Sequence, residues 1–329
     1  MTTASATPPL ATLTRRGFAL GATALGLVPL RAWGEQAKPG KVFLDYTQKE
    51  LDDAYDQSVW AKNPQEVIKR YGTVSEAVRA KYKFATKAYG EGEDNKLDIF
   101  APVKAPPAAG APIHIFIHGG AWRGGRKEMY SFPAPTFAEN GAVYIAIGFS
   151  SIPKVRLPDM AHQVRSAIAW AYKNAKSFGG DPERIFVSGH SSGGHLCGVA
   201  LVTDWSRYGV PATVLKGGLS VSGMYELNPV MLSARSSYVK ISDEEKGALS
   251  ALRHLDRIAC PVTLAYGDGE SPEFKRQSRD MAAALKAKVK HPAELIEVKG
   301  VNHFEIIETL GKPDGALGKA ALKQMGLGA

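Results

Sequence analysis

Ile185-Phe186-Val187-Ser188-Gly189-His190-Ser191-Ser192-Gly193 is the stretch on which the fold turns. An apolar run enters a Gly-x-Ser-x-Gly pentad, and the small, apolar stretch from Gly194 to Val202 leaves it. Alone the pentad is a weak signal, since glycine and serine also mark ordinary loops. A strand before it and a helix after it turn the same five residues into a nucleophile elbow. Such a turn strains one residue and projects its hydroxyl clear of the backbone, while glycines two residues to either side let strand and helix pack closely. Ser191 is the candidate nucleophile.

Outward from the elbow, elements alternate. Upstream, Lys96-Leu97-Asp98-Ile99-Phe100 reads as a strand. Ala101 to Pro112, with four prolines, is a connection within one sheet because Ile113-His114-Ile115-Phe116-Ile117 follows as another strand. Val143 to Ile147 is continuously apolar, as in a strand covered on both faces. Met160, Val164, Ala167, Ile168 and Ala171 recur at helical spacing. Downstream come strands at Gly217–Val221, Pro261–Tyr266 and Leu295–Val298, a helix over Phe274–Lys286 and a last helix from about Phe304. Near the start, Leu51–Ala61 and Pro64–Tyr82 suggest short helices over the core. Alternating strands and helices predict an α/β fold, a mainly parallel sheet with helices on both faces. Residues 223–256 hold helical pieces without a strand, where a small helical cap can be inserted. There is no internal repeat.

A serine hydroxyl needs a base to take its proton, and the base needs a third group to hold its tautomer. In this kind of sheet the order is Ser, acid, His. Of eight histidines, His114, His118, His162, His190 and His195 come too early or lie in elements already assigned. His254 precedes the acid loop, and His291, before Pro292, enters a strand at the wrong end. His303, in Gly300-Val301-Asn302-His303-Phe304, follows the strand ending at Val298 and is the candidate base. The acid lies in Gly267-Asp268-Gly269-Glu270-Ser271-Pro272-Glu273-Phe274. Glu270 is preferred and Asp268 is the alternative, while Glu273 opens the next helix, where it favours the N-terminus. Backbone donors for an oxyanion are expected from His118-Gly119-Gly120-Ala121-Trp122, after the strand ending at Ile117: the N–H groups of Gly120 and Ala121, with that of Ser192. Trp122 and His190 are candidate substrate-binding residues, with core packing the alternative for each.

The chain has 329 residues, 44% of them hydrophobic, enough for one large α/β unit. Thr14-Arg15-Arg16-Gly17-Phe18-Ala19-Leu20 puts a twin arginine before an uncharged stretch of about 14 residues, short of the roughly 20 that span a bilayer. Ala32-Trp33-Gly34 then offers a cleavage site. This resembles a twin-arginine export signal over residues 1–34, with 35–329 the hydrolase domain and the periplasm or exterior its destination. No stable membrane insertion is expected after cleavage. The net charge of +9 includes Arg15, Arg16 and Arg31, and no acid lies in residues 1–34. The remaining excess reads as a solvated surface, and no basic run interleaved with aromatics suggests nucleic acid. Cys197 and Cys260, the only cysteines, read as buried apolar residues rather than a disulfide. No His-Glu-x-x-His occurs, and neither metal nor cofactor is expected.

Together these residues resemble the α/β-hydrolase superfamily, and within it the kynurenine formamidase (arylformamidase) and carboxylesterase branch. Its motifs are HGGxW, here His118 to Trp122; GHSxGxH, here His190, Ser191, Gly193 and His195 after Gly189; and an acid loop, here Glu270-Ser271-Pro272-Glu273-Phe274 with Arg276-Gln277-Ser278. Asn302-His303-Phe304 also matches, and the similarity runs from about Leu51 to Leu310. The resemblance implies a serine esterase of small-molecule carboxylic esters, or else an aryl-formamidase acting on N-formylkynurenine-like amides. A non-catalytic binding protein on the same fold is the remaining class, and a homodimer is compatible with each. Two features depart from the branch: the export signal, where a cytoplasmic enzyme is expected, and Glu rather than Asp at position 270.

Overall fold

Ile- and Val-rich runs too short and too apolar for surface helices become the centre of an eight-stranded sheet in the computed structural model, which describes Met1, residues 38–105 and residues 108–328. The expected export signal lies outside the described residues. Within the unit Gln36–Ala329, α1 (Gln48–Tyr55) and α2 (Pro64–Lys81) precede β1 (Phe84–Ala88), β2 (Lys96–Phe100) and β3 (Ala111–Ile117). Then follow α3 (Ala134–Ala138), β4 (Val143–Ile147), α4 (Leu157–Asn174), β5 (Gly180–His190), α5 (Ser192–Leu201) and β6 (Leu215–Val221). Next are α6 (Asn228–Leu232), α7 (Asp243–Ala248), β7 (Val262–Gly267), α8 (Pro272–Lys288), β8 (Ala293–Val298) and α9 (Ala316–Gln324).

The strand order is β1-β2-β4-β3-β5-β6-β7-β8. From β4 to β8 every pairing is parallel, while β1 with β2 and β2 with β4 are antiparallel. Every residue of β3 and β4 is buried, as parallel strands covered on both faces require. Their alternate side chains feed two apolar layers: Ile113, Ile115 and Ile117 pack with α4 and α5 residues such as Val164 and Leu196, and Phe116 and Tyr144 pack with Phe137 and Leu317 on the other face. The parallel strands bring the loops after β3, β5, β6, β7 and β8 to one end, where ligands bind in such sheets.

Several expectations shift at element ends. Thr47 and Glu50 form a capping box, so α1 begins before Leu51, and Gln57–Val59 continues it only as a 3-10 turn. The edge strand β1 was not anticipated: four of its five residues are exposed, and no apolar alternation marks it. The expected helix from Phe304 is instead a 3-10 helix, Ile306–Gly311, followed by α9, because Gly311-Lys312-Pro313-Asp314-Gly315 cannot continue a helix. Residues 223–256 contain α6, α7 and 3-10 turns and no strand. Cys197 and Cys260 are buried free thiols. Among the described residues no helix is long and apolar enough to cross a membrane.

Candidate active site

β5 delivers the chain to Ser191, and α5 starts one residue later. Ser191 has φ 59° and ψ −122°, far outside the helical and extended regions, so the turn is strained as an elbow requires. The flanking glycines are obligatory: a Cβ on Gly189 would collide with the carbonyl of Gly193, and one on Gly193 with the carbonyls of Ile117 and His118. The turn is held by Ser191 N–H donating to Val221 O at 2.9 Å and by His195 N–H donating to Ser191 O at 3.0 Å.

His303 arrives from the loop after β8. Its Nε2 lies 2.9 Å from Ser191 Oγ, and its Nδ1 lies 3.1 Å from Glu270 Oε2. An ionised carboxylate only accepts, so Nδ1 carries the proton and Nε2 presents a lone pair to the serine hydroxyl. The ring is boxed edge-on by Phe274, 5.0 Å away, and by Phe304, 5.4 Å away. Glu270, 1% exposed, takes Gly267 N–H at 2.7 Å and the Ser222 hydroxyl at 2.6 Å on its other oxygen. Asp268 is turned away from this group: its Oδ1 accepts from Gly300 N–H at 2.8 Å and so ties the acid loop to the loop that carries His303. Glu273 faces α1, paired with Arg276 and accepting the Tyr55 hydroxyl at 2.8 Å.

The loop after β3 lies against the elbow, since a Cβ on Gly119 would crowd His190 O and Ser191 Cβ. Gly120, Ala121 and Trp122 have φ of 122°, 53° and 61°. Two consecutive non-glycine residues at positive φ are uncommon, and here they turn the loop. Among the described residues no backbone or side-chain acceptor takes the N–H of Gly120 or of Ala121. Ser192 N–H is in the first turn of α5, where helical partners are missing.

Trp122 is 1% exposed. Its indole N–H donates to His195 Nδ1 at 3.2 Å, while His195 Nε2–H donates to Leu249 O at 3.0 Å. His195 thus links the elbow helix, the loop after β3 and the segment between β6 and β7. The Arg235 guanidinium, from that same segment, sits 5.5 Å over the Trp122 ring. His190 is also buried, and its Nε2–H donates to the backbone oxygen of His303 at 2.8 Å. Burial pushes His118 and His195 down to about 4, and holds His190 well below its ordinary value with the help of nearby His303. All three are neutral near pH 7. Among the described residues no group of three or more His, Cys, Asp or Glu could hold a metal ion.

Ser222 had no motif to announce it, and the bond between two motif residues, Trp122 and His195, had no signal in the sequence. Ser222 follows β6 as an ordinary serine, and its only sequence signal is its place at the end of a strand on the elbow's side of the sheet. The His195–Trp122 pair is 73 residues apart in the chain.

A family model described as BD-FAE matches residues 97–207. Kynurenine formamidase from Salmo salar is 31% identical over 294 residues, covering 86% of this chain and 98% of the relative. A probable carboxylic ester hydrolase from Mycobacterium tuberculosis, LipM, is 28% identical over 67% of this chain and 56% of its own length. Among solved structures, a putative thioesterase from Silicibacter sp. TM1040 superposes with a TM-score of 0.70 at 25% identity, covering 82% of this chain and 98% of that one.

Proposed function

The chain belongs to the kynurenine formamidase and carboxylesterase-like branch of the α/β-hydrolases, and from that premise we propose that it hydrolyses small-molecule carboxylic esters through an acyl-enzyme on Ser191. The observation that carries the reading is the unbroken series Ser191 Oγ, His303 Nε2, His303 Nδ1, Glu270 Oε2, with contacts of 2.9 and 3.1 Å. His303 takes the hydroxyl proton as Ser191 Oγ attacks the carbonyl carbon, and Glu270 stabilises the imidazolium. The tetrahedral oxyanion is held by the N–H groups of Gly120, Ala121 and Ser192, the first two of which have no acceptor among the described residues. His303 then protonates the leaving group, and water, activated by the same imidazole, releases the acid.

A second reading, cleavage of an aryl-formamide, is favoured by one observation: the formamidase relative matches over nearly its whole length. The machinery is common to both reactions. Residues 1–34 form a twin-arginine export signal, and the enzyme works in the periplasm or outside the cell.

Three experiments test these statements. A fluorophosphonate probe labels the protein at Ser191 and leaves Ser191→Ala unlabelled; an unlabelled native protein overturns the mechanism and leaves a binding role. Comparing kcat/KM for p-nitrophenyl acetate and N-formylkynurenine decides the substrate order, and a strong excess for the formamide reverses it. Cell fractionation of native chain against Arg15→Lys/Arg16→Lys tests export.

A further inference from the structure

Glu270 is buried without a full cation beside it: among the described residues its only ion-pair contact is His303. A desolvated carboxylate in that position depends on hydrogen-bond donors. We propose that Ser222 is the positioning residue that orients Glu270, so that the assembly comprises four side chains rather than three; this rests on the triad reading above.

Three observations carry it. The Ser222 hydroxyl lies 2.6 Å from Glu270 Oε1, the shortest of the three contacts to that carboxylate. Ser222 stands at φ 52°, in the left-handed region where glycine sits freely and other residues are strained. The strain comes from the Cβ and persists whatever the hydroxyl does, so a side chain kept there must offset it, and this one is completely buried against the acid. Finally, the main chain that carries the hydroxyl is anchored, because Ser222 N–H donates to Ala265 O at 2.7 Å across the ends of β6 and β7.

The same geometry accounts for a glutamate at this position. Glu270 N–H donates to Gly267 O at 3.1 Å, closing a tight turn, and the side chain folds back so that Oε1 meets Gly267 N–H from its own turn and Ser222 from the neighbouring strand. With Oε1 clamped from both sides, Oε2 faces His303 Nδ1. An aspartate, one methylene shorter, would have to release either the clamp or the histidine.

The test is a mutant cycle. Ser222→Gly removes the hydroxyl and also relieves the strained φ, so it preserves the fold where Ser222→Ala keeps the strain. Both are made in the native and the Glu270→Ala backgrounds, and kcat, KM and thermal midpoints are measured with p-nitrophenyl acetate. A hydrogen bond to a charged group predicts that Ser222→Gly lowers kcat about 10- to 100-fold, with KM changed less than about twofold. In Glu270→Ala, where no carboxylate remains to be held, the same change lowers kcat no further. Native kcat in Ser222→Gly, or an equal loss in both backgrounds, overturns the inference. Ser191→Ala separates the two levels of claim. If it turns over like the native enzyme, the triad reading fails. If it is inactive while Ser222→Gly is fully active, only the role of Ser222 fails.

Discussion

Replacing Glu270 by glutamine preserves the shape of the side chain and changes one donor–acceptor relation. Oε1 accepts from Gly267 N–H at 2.7 Å and from Ser222 at 2.6 Å, so the amide oxygen of a glutamine takes that side. Its NH2 group then faces His303 Nδ1, where the carboxylate had accepted a proton at 3.1 Å. A donor there requires a bare Nδ1, which moves the imidazole proton to Nε2. Nε2–H, 2.9 Å from Ser191 Oγ, can no longer accept the serine proton. A wrong tautomer in an otherwise intact triad costs on the order of 10⁴-fold in kcat, about 5.5 kcal/mol of transition-state stabilisation. Asp268→Asn is the control: its amide oxygen can still accept from Gly300 N–H, and kcat changes by less than about threefold. The assay is steady-state hydrolysis of p-nitrophenyl acetate by purified variants whose thermal midpoints have been checked. The reasoning is refuted if Glu270→Gln keeps more than about a tenth of native kcat, or if Asp268→Asn is equally impaired.

Other consequences concern stability. His118 and His195 have folded-state values near 4, and His114 near 3, all depressed by burial from the ordinary 6.5. Below pH 6.5 the unfolded chain therefore binds protons that the folded chain refuses, and stability falls as pH drops toward 4, by up to about 1.4 kcal/mol per pH unit for each histidine. Urea midpoints at pH 7 and pH 5 check this, and equal midpoints would contradict it. Arg276→Ala leaves Glu273, whose side chain is fully buried, with the Tyr55 hydroxyl at 2.8 Å, the Gln277 amide at 3.5 Å and, among the described residues, no cation. The expected loss is about 3 kcal/mol, read from chemical denaturation. Gly193→Ala drives a methyl group into the Ile117 and His118 carbonyls, and the expected product is insoluble protein or one lacking fluorophosphonate labelling, whereas Gly72→Ala in α2, where an added Cβ meets nothing within 4 Å, keeps native soluble yield and labelling.

Much of the architecture is legible because its causes are local. Val143–Ile147 reads as a buried strand from five apolar residues in succession, and the periodic residues of Met160–Ala171 lie inside α4. The misses lie where local signals are weak. Phe84–Ala88 is a strand because β2 offers it a ladder, not because Phe-Ala-Thr-Lys-Ala alternates in polarity. After Phe304 an apolar spacing suggests one helix, but Gly311, Pro313 and Gly315 divide it.

By itself the sequence determined the order of the strands from β2 to β8 and of most helices between them, the Gly-x-Ser-x-Gly elbow with its strand and helix, and the shortlist of Asp268, Glu270 and Glu273 with His303. These follow from periodicity, glycine placement and chain order, which act over a few residues. Only the tertiary structure decided that Glu270 turns toward His303 while Asp268 bonds Gly300, that Ser222 donates to the carboxylate, and that His195 holds Trp122. Those outcomes depend on how the loops after β3, β5, β6, β7 and β8 converge at one end of the sheet. Convergence is set by strand register and by packing between residues tens to more than a hundred positions apart, and no short stretch of sequence encodes it.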